Sequence, residues 1–155
     1  MSQQHTLNQP NTSQLPDWLA NFIRVYEKLG TDNLSLLNSI YDSDIHFQDP
    51  MHELQGIDAL GKYFDSLYTN LSYCHFKIDN VIHDDQQAAL YWTMAYQHNK
   101  LNHGKEVIIE GSSKLISNGE KVISHRDYLD LGAMLYEQIP VIGKLITCIK
   151  ARASK

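Results

Sequence analysis

From Tyr73 to Leu129 apolar residues alternate with polar ones, and turn signals interrupt them at short intervals. Phe76, Ile78 and Val81 form a first run, broken at Asp84-Asp85. Leu90 to Gln97 is rich in Tyr, Trp and Thr, which suit a pleated, half-buried surface. Asn102-His103-Gly104 supplies a turn before a third run, Val107 to Ile116. Asn118-Gly119 is the strongest hairpin signal in the chain and leads into Val122 to Leu129. Strands joined by such short turns pair antiparallel, so this half of the chain is a meander that must cover one of its faces.

The covering comes from the first half. Pro16 and Asp17 suit the first turn of a helix; Trp18, Phe22, Val25 and Leu29 recur at helical spacing, and Gly30 ends it. A short helix with Leu34, Leu37 and Ile40 follows Asp32, then a strand from Ile45 to Asp49. Gly56 opens a third helix, with Leu60, Phe64 and Leu67 on one side. Helices followed by a meander define an α+β domain, with about three helices on one face of a curved antiparallel sheet. A chain of 155 residues, 43% hydrophobic, has room for one such core. Residues 1–15 are polar and are expected to form a disordered tail. Residues 16–138 form the domain, and 139–155 a C-terminal amphipathic helix and tail.

The net charge of -5 gives no general attraction to nucleic acid. No apolar run reaches the roughly 20 residues of a membrane span. The N-terminus lacks the basic start and apolar block of a secretory signal, so a cytoplasmic location is expected. Cys74 and Cys148 form no metal or redox motif and fit a reducing compartment, although a single disulfide is left open. The eight histidines show no compact ligand spacing, and there is no glycine-rich phosphate loop. No metal or organic cofactor is implied.

Two carboxylates are the candidate chemistry. Side chains alternate along a strand, so Ile45, Phe47 and Asp49 share one face, as do His125, Asp127 and Leu129. An acid among apolar neighbours is costly unless paired or protonated, and such groups gather at functional sites. The plainer alternative has Asp49 closing a turn before Pro50 and Asp127 paired with Arg126 or a lysine at the surface. On the pocket reading Asp49 and Asp127 are the catalytic candidates, with Trp92, Met94 and Tyr96 pointing together beside Phe47. Tyr91, Arg126 and Tyr128 fall on the opposite face and suit a contact between two copies.

Val141, Ile142, Leu145, Ile146 and Ile149 form an apolar stripe on a helix starting near Pro140, with Lys144, Lys150 and Arg152 along its side or end. The expected partner of that stripe is the domain itself or a dimer mate; a membrane surface is the weaker alternative.

The order helix, helix, strand ending in Asp49-Pro50, Gly-led helix and meander resembles the SnoaL-like branch of the nuclear transport factor 2-like superfamily, over roughly Trp18 to Leu131. The resemblance implies a cone-shaped fold with an apolar pocket for a hydrophobic small molecule. It also implies pairing into a homodimer. Ser43 to Pro50 resembles the stretch of ketosteroid isomerase that carries its proton-shuttling acid, which falls on Asp49. The isomerase's oxyanion Tyr position falls on Val25, beside Tyr26, and its second Asp near Ser113. His125-Arg126-Asp127-Tyr128-Leu129-Asp130 resembles a stretch of limonene epoxide hydrolase, where Asp127 matches a water-activating acid. That enzyme's other Asp and Arg positions fall on Tyr96 and Met94, and its Tyr and Asn on Phe47 and Asp49. The resemblance therefore implies cofactor-independent acid–base chemistry (isomerase, cyclase or epoxide hydrolase-like) or a non-catalytic binding or dimerisation module. Its implied pocket wall is Phe47, Trp92, Met94, Tyr96, Ser113 and His125.

Overall fold

A computed structural model describes residues 15–30 and 32–153; the expected tail, Leu15 excepted, lies outside these. Helix α1 (Asp17–Tyr26) is followed by a 3-10 turn and a single turn of helix, α2 (Leu37–Ile40). Strands β1 (Tyr41–Gln48) and β2 (Glu53–Gln55) precede α3 (Ile57–Thr69). The meander is β3 (Leu71–His83), β4 (Gln87–His98), β5 (Glu106–Ser117) and β6 (Val122–Leu129). Two further helices close the chain, α4 (Leu131–Met134) and α5 (Pro140–Ala153).

The strands form one curved, unclosed sheet in the order β2-β1-β6-β5-β4-β3. Every pairing is antiparallel except β1 with β6, which run parallel. The sheet is therefore mixed, where the sequence implied an antiparallel one. A short turn forces reversal only between strands that it joins. No turn joins β1 to β6: the chain between them passes through α3 and the whole meander. The short β2 was not legible either, because Glu53-Leu54-Gln55 is too brief to show a period. The expected hairpin turn is present, with Gly119 at φ 103°, and the Asn118 side chain accepts from the amides of Glu120 and Lys121.

The inner face is the alternate set of each strand: Leu90, Trp92, Met94 and Tyr96 on β4, and Val107, Ile109 and Leu115 on β5. Against it lie Trp18, Leu19, Phe22, Val25 and Tyr26 of α1, and Leu60, Phe64 and Tyr68 of α3. Burying a side chain such as Leu19 or Phe22 stabilises by roughly 1.5–3 kcal/mol. Trp18 adds a directional tie, its indole donating to the Asp85 carbonyl in the β3–β4 turn at 2.9 Å.

The C-terminal helix does lie on the domain, but of its apolar stripe only Ile146 is even half-buried. Gly143 is the buried residue of α5, and a Cβ there would stand 2.2 Å from the Glu137 carbonyl oxygen. Lys150 bonds Glu137 and sits 3.5 Å from Asp130. Val141, Ile142, Leu145 and Ile149 all face solvent.

Candidate functional site

Between the inner sheet face and α1 and α3 the structure leaves a cavity of about 410 Å³. Its wall includes Phe47, Phe76, Trp92, Met94, Tyr96 and Leu129, and both Asp49 and Asp127 reach it. No Lys or Arg lines it among the described residues.

Asp127 sits on β6 directly opposite Ser113 of β5. Ser113 donates to Asp127 Oδ1 at 2.5 Å, and His125 Nε2 meets the same oxygen at 2.7 Å. Oδ2 takes no hydrogen bond from the described residues, and the side chain keeps 13% of its surface exposed. The support extends backwards. Trp92 Nε1 donates to Ser113 Oγ at 2.8 Å, and its indole reaches that position by lying flat over Gly111, where a Cβ would be 2.3 Å from the ring. His125 is fully buried, with Nδ1 2.6 Å from the Tyr41 hydroxyl. The rings of Phe22, Tyr26, Tyr41 and Phe47 surround it with centroids 5.0–5.9 Å away. Burial, and then the Asp127 charge, hold the Tyr41 phenol well above its ordinary pKa. A neutral Tyr41 can donate to Nδ1, which places the imidazole proton on Nε2, aimed at Asp127.

Asp49 is used differently. Its Oδ1 accepts the amides of Met51 and His52, each at 2.7 Å, and its own amide donates to the His52 carbonyl. Its Oδ2 accepts the Tyr63 hydroxyl of α3. Burial, and then this bond, push the Tyr63 phenol well above its usual range. The carboxylate thus closes the turn before Pro50, as the plainer alternative had it, while still reaching the cavity with 9% of its side chain exposed.

The other expected wall residues divide. Phe47, Trp92, Met94 and Tyr96 line the cavity. Ser113 and His125 do not: they are buried behind Asp127 and their polar atoms are turned onto it. Nor does Asp127 pair with Arg126, whose guanidinium lies on the outer face and bonds Gln48.

Several residues were missed. Tyr41 stands six residues before Phe47, on the face that parity turns inward, but the expected strand began at Ile45 and left it out. Tyr63 sits beside the Leu60/Phe64 stripe of α3, fourteen residues after Asp49, and no local signal placed it against that acid. Tyr68 and Cys74 also line the cavity. The Tyr68 hydroxyl is buried without a hydrogen-bond partner among the described residues, and burial pushes the nearby Cys74 thiol up to about 11. Among the described residues no three His, Cys, Asp or Glu side chains gather as metal ligands.

A helix-covered, curved sheet enclosing an apolar cavity with acids in its wall defines a protein of the nuclear transport factor 2-like class. The sequence profile of the SnoaL-like domain matches residues 22–125, and the chain belongs to that family. Solved structures agree on the fold. A candidate SnoaL-like polyketide cyclase from Jannaschia sp. CCS1 superposes with a TM-score of 0.70 at 13% identity, covering 86% of this chain and 96% of that one. A hypothetical protein with a ketosteroid isomerase-like fold from Catenulispora acidiphila DSM 44928 gives 0.68 at 14% identity, over 79% and 92%. A candidate polyketide cyclase from Acidithiobacillus ferrooxidans gives 0.63 at 16%, over 78% and 91%. No functionally curated protein matches the chain.

Proposed function

We propose that the cavity binds a hydrophobic small molecule and that Asp127 exchanges a proton with it, in a cofactor-independent isomerisation, cyclisation or hydration. The observation that carries this reading is the division of labour on one carboxylate: Oδ1 is held by Ser113 and His125, and Oδ2 has no partner among the described residues. A base must be positioned before its pKa matters, and the Trp92–Ser113 and Tyr41–His125 bonds supply the positioning. Asp127 takes a proton from an activated carbon or from water and returns it from Oδ2 to a second atom of the same molecule. Asp49 and Tyr63 provide a second polar end to the wall. Two of the similar structures carry the description of candidate polyketide cyclases, which fits the cyclisation arm of this reading.

The test is deuterium incorporation from D2O into a panel of enolisable cyclic ketones, followed by NMR. The wild type accelerates exchange and Asp127→Asn does not. Mass spectrometry of molecules that copurify with the chain identifies the natural ligand class.

A second reading, a non-catalytic binding module, is favoured by the full occupation of Asp49. It predicts saturable binding of an apolar molecule without exchange. On either reading we expect a homodimer through the outer sheet face. Tyr91, Ser112 and Tyr128 stand in one row there, both tyrosines are exposed, and Arg126 lies over the Tyr128 ring at 5.0 Å. Light scattering at micromolar concentration tests this. A cytoplasmic location fits the two free cysteines. No helix among the described residues is long and apolar enough to cross a membrane.

A further inference from the structure

We propose that α5 is a lipid-surface contact, lying in the plane of an anionic membrane with its apolar face against the acyl chains and Lys144 and Arg152 among the headgroups. Val141, Leu145 and Ile149 are spaced four apart, so they form one stripe with Ile142 beside it. They are 81%, 61%, 57% and 44% exposed, respectively. An amphipathic helix on a globular domain ordinarily turns such a stripe inward. Here the opposite side is inward. Gly143 packs on the Glu137 carbonyl with no room for a Cβ, and Lys150 ties the same side to Glu137 and Asp130. The apolar face is thereby held outward by packing.

Charge selects the occupant. Residues 140–153 contain Lys144, Lys150 and Arg152 and no acid, in a chain whose net charge is -5. A basic amphipathic helix suits an anionic interface, with long cationic side chains snorkelling to the headgroups. Arg152 stands seven residues after Leu145, so it continues the stripe and can reach up from it. A second copy is a poorer occupant. The four side chains expose roughly 400 Å², about half of what one partner buries in a stable interface. Fourteen helical residues span about 21 Å, too short to cross the hydrocarbon core, so the helix lies on the surface. The segment leading into α5 supplies Met134 and Leu135 to the cavity wall, so lipid contact would set that wall near a reservoir of apolar molecules.

Flotation of the full chain with vesicles of phosphatidylcholine, alone or mixed with phosphatidylglycerol, tests the proposal. The wild type should float with the mixed vesicles and far less with the neutral ones. Leu145→Gln with Ile149→Gln should lower partitioning by about tenfold or more, since two aliphatic side chains lose their burial. Lys144→Glu with Arg152→Glu should abolish the preference for anionic vesicles. All four positions are exposed, and an unchanged thermal melt confirms that the fold is intact. Cys148, exposed on the same helix, accepts an environment-sensitive fluorophore while Cys74 is kept protonated by burial. Its emission should shift to the blue on mixed vesicles. Absence of flotation with either vesicle overturns the proposal, as does wild-type flotation by the Leu145/Ile149 variant. Conversion of an oligomer to a monomer by that variant also overturns it and assigns the face to a second copy.

Discussion

Asp49, just past the end of β1, and Asp127, within the neighbouring β6, reach the same cavity, and the chain has spent them differently. Asp49 accepts from two backbone amides and a tyrosine, so both of its oxygens are engaged in holding the β1–β2 turn and α3. Asp127 takes Ser113 and His125 on one oxygen, and no described residue hydrogen-bonds the other. The difference lies in what surrounds each carboxylate: a local turn can saturate an acid with backbone donors, whereas a strand interior offers only side chains from adjacent strands. Strand parity places both acids inward; hydrogen-bond accounting separates the structural one from the available one.

The contrast breaks most severely at His125. His125→Ala removes a fully buried ring and strips partners from Tyr41 and Asp127, and should cost about 3–5 kcal/mol in urea unfolding. Gly111→Ala comes next, at about 3 kcal/mol. The new methyl overlaps the Trp92 ring, and the shifted indole gives up Ser113. The same unfolding measurement should then show Asp49→Ala losing about 2 kcal/mol, as a lost cap does, while Asp127→Asn stays within about 1 kcal/mol of wild type. Equal losses from the two would erase the distinction.

A pH effect of similar size probes the far wall. The folded pKa of Cys74, about 11, lies above the ordinary 9.0, so the folded chain binds that proton more tightly than the unfolded one. The stability involved is complete below about pH 9 and is lost as the pH rises through 11, amounting to at most about 3 kcal/mol. Urea unfolding on either side of that window should show the loss in wild type and a smaller one in Cys74→Ala.

The fold was legible where a local signal forces it. Asn118-Gly119, the alternation of β4 and the 3.6-residue spacing of α1 act over a few residues, and the structure follows them. The parallel β1–β6 pairing was not legible, because it depends on where a strand inserts after a long excursion. Parity put Trp92, Met94 and Tyr96 on one face, and the family resemblance turned that face toward Phe47 and the cavity they line. The roles of Ser113 and His125 did not, since parity says which face a residue takes and nothing about which neighbour claims its polar atoms. The stripe of α5 shows the same limit in reverse: its period was plain, but Gly143 decided which side faces the domain.

The central claim is that Asp127, and not Asp49, is the proton-exchanging acid. The direct measurement is deuterium exchange into one enolisable ketone that the wild type turns over, compared across Asp127→Asn and Asp49→Asn with ligand occupancy measured in each. Asp127→Asn should lose about a hundredfold or more in rate while still binding, and Asp49→Asn should stay within about tenfold of wild type. A wild-type rate in Asp127→Asn, or a loss confined to Asp49→Asn, would contradict the account.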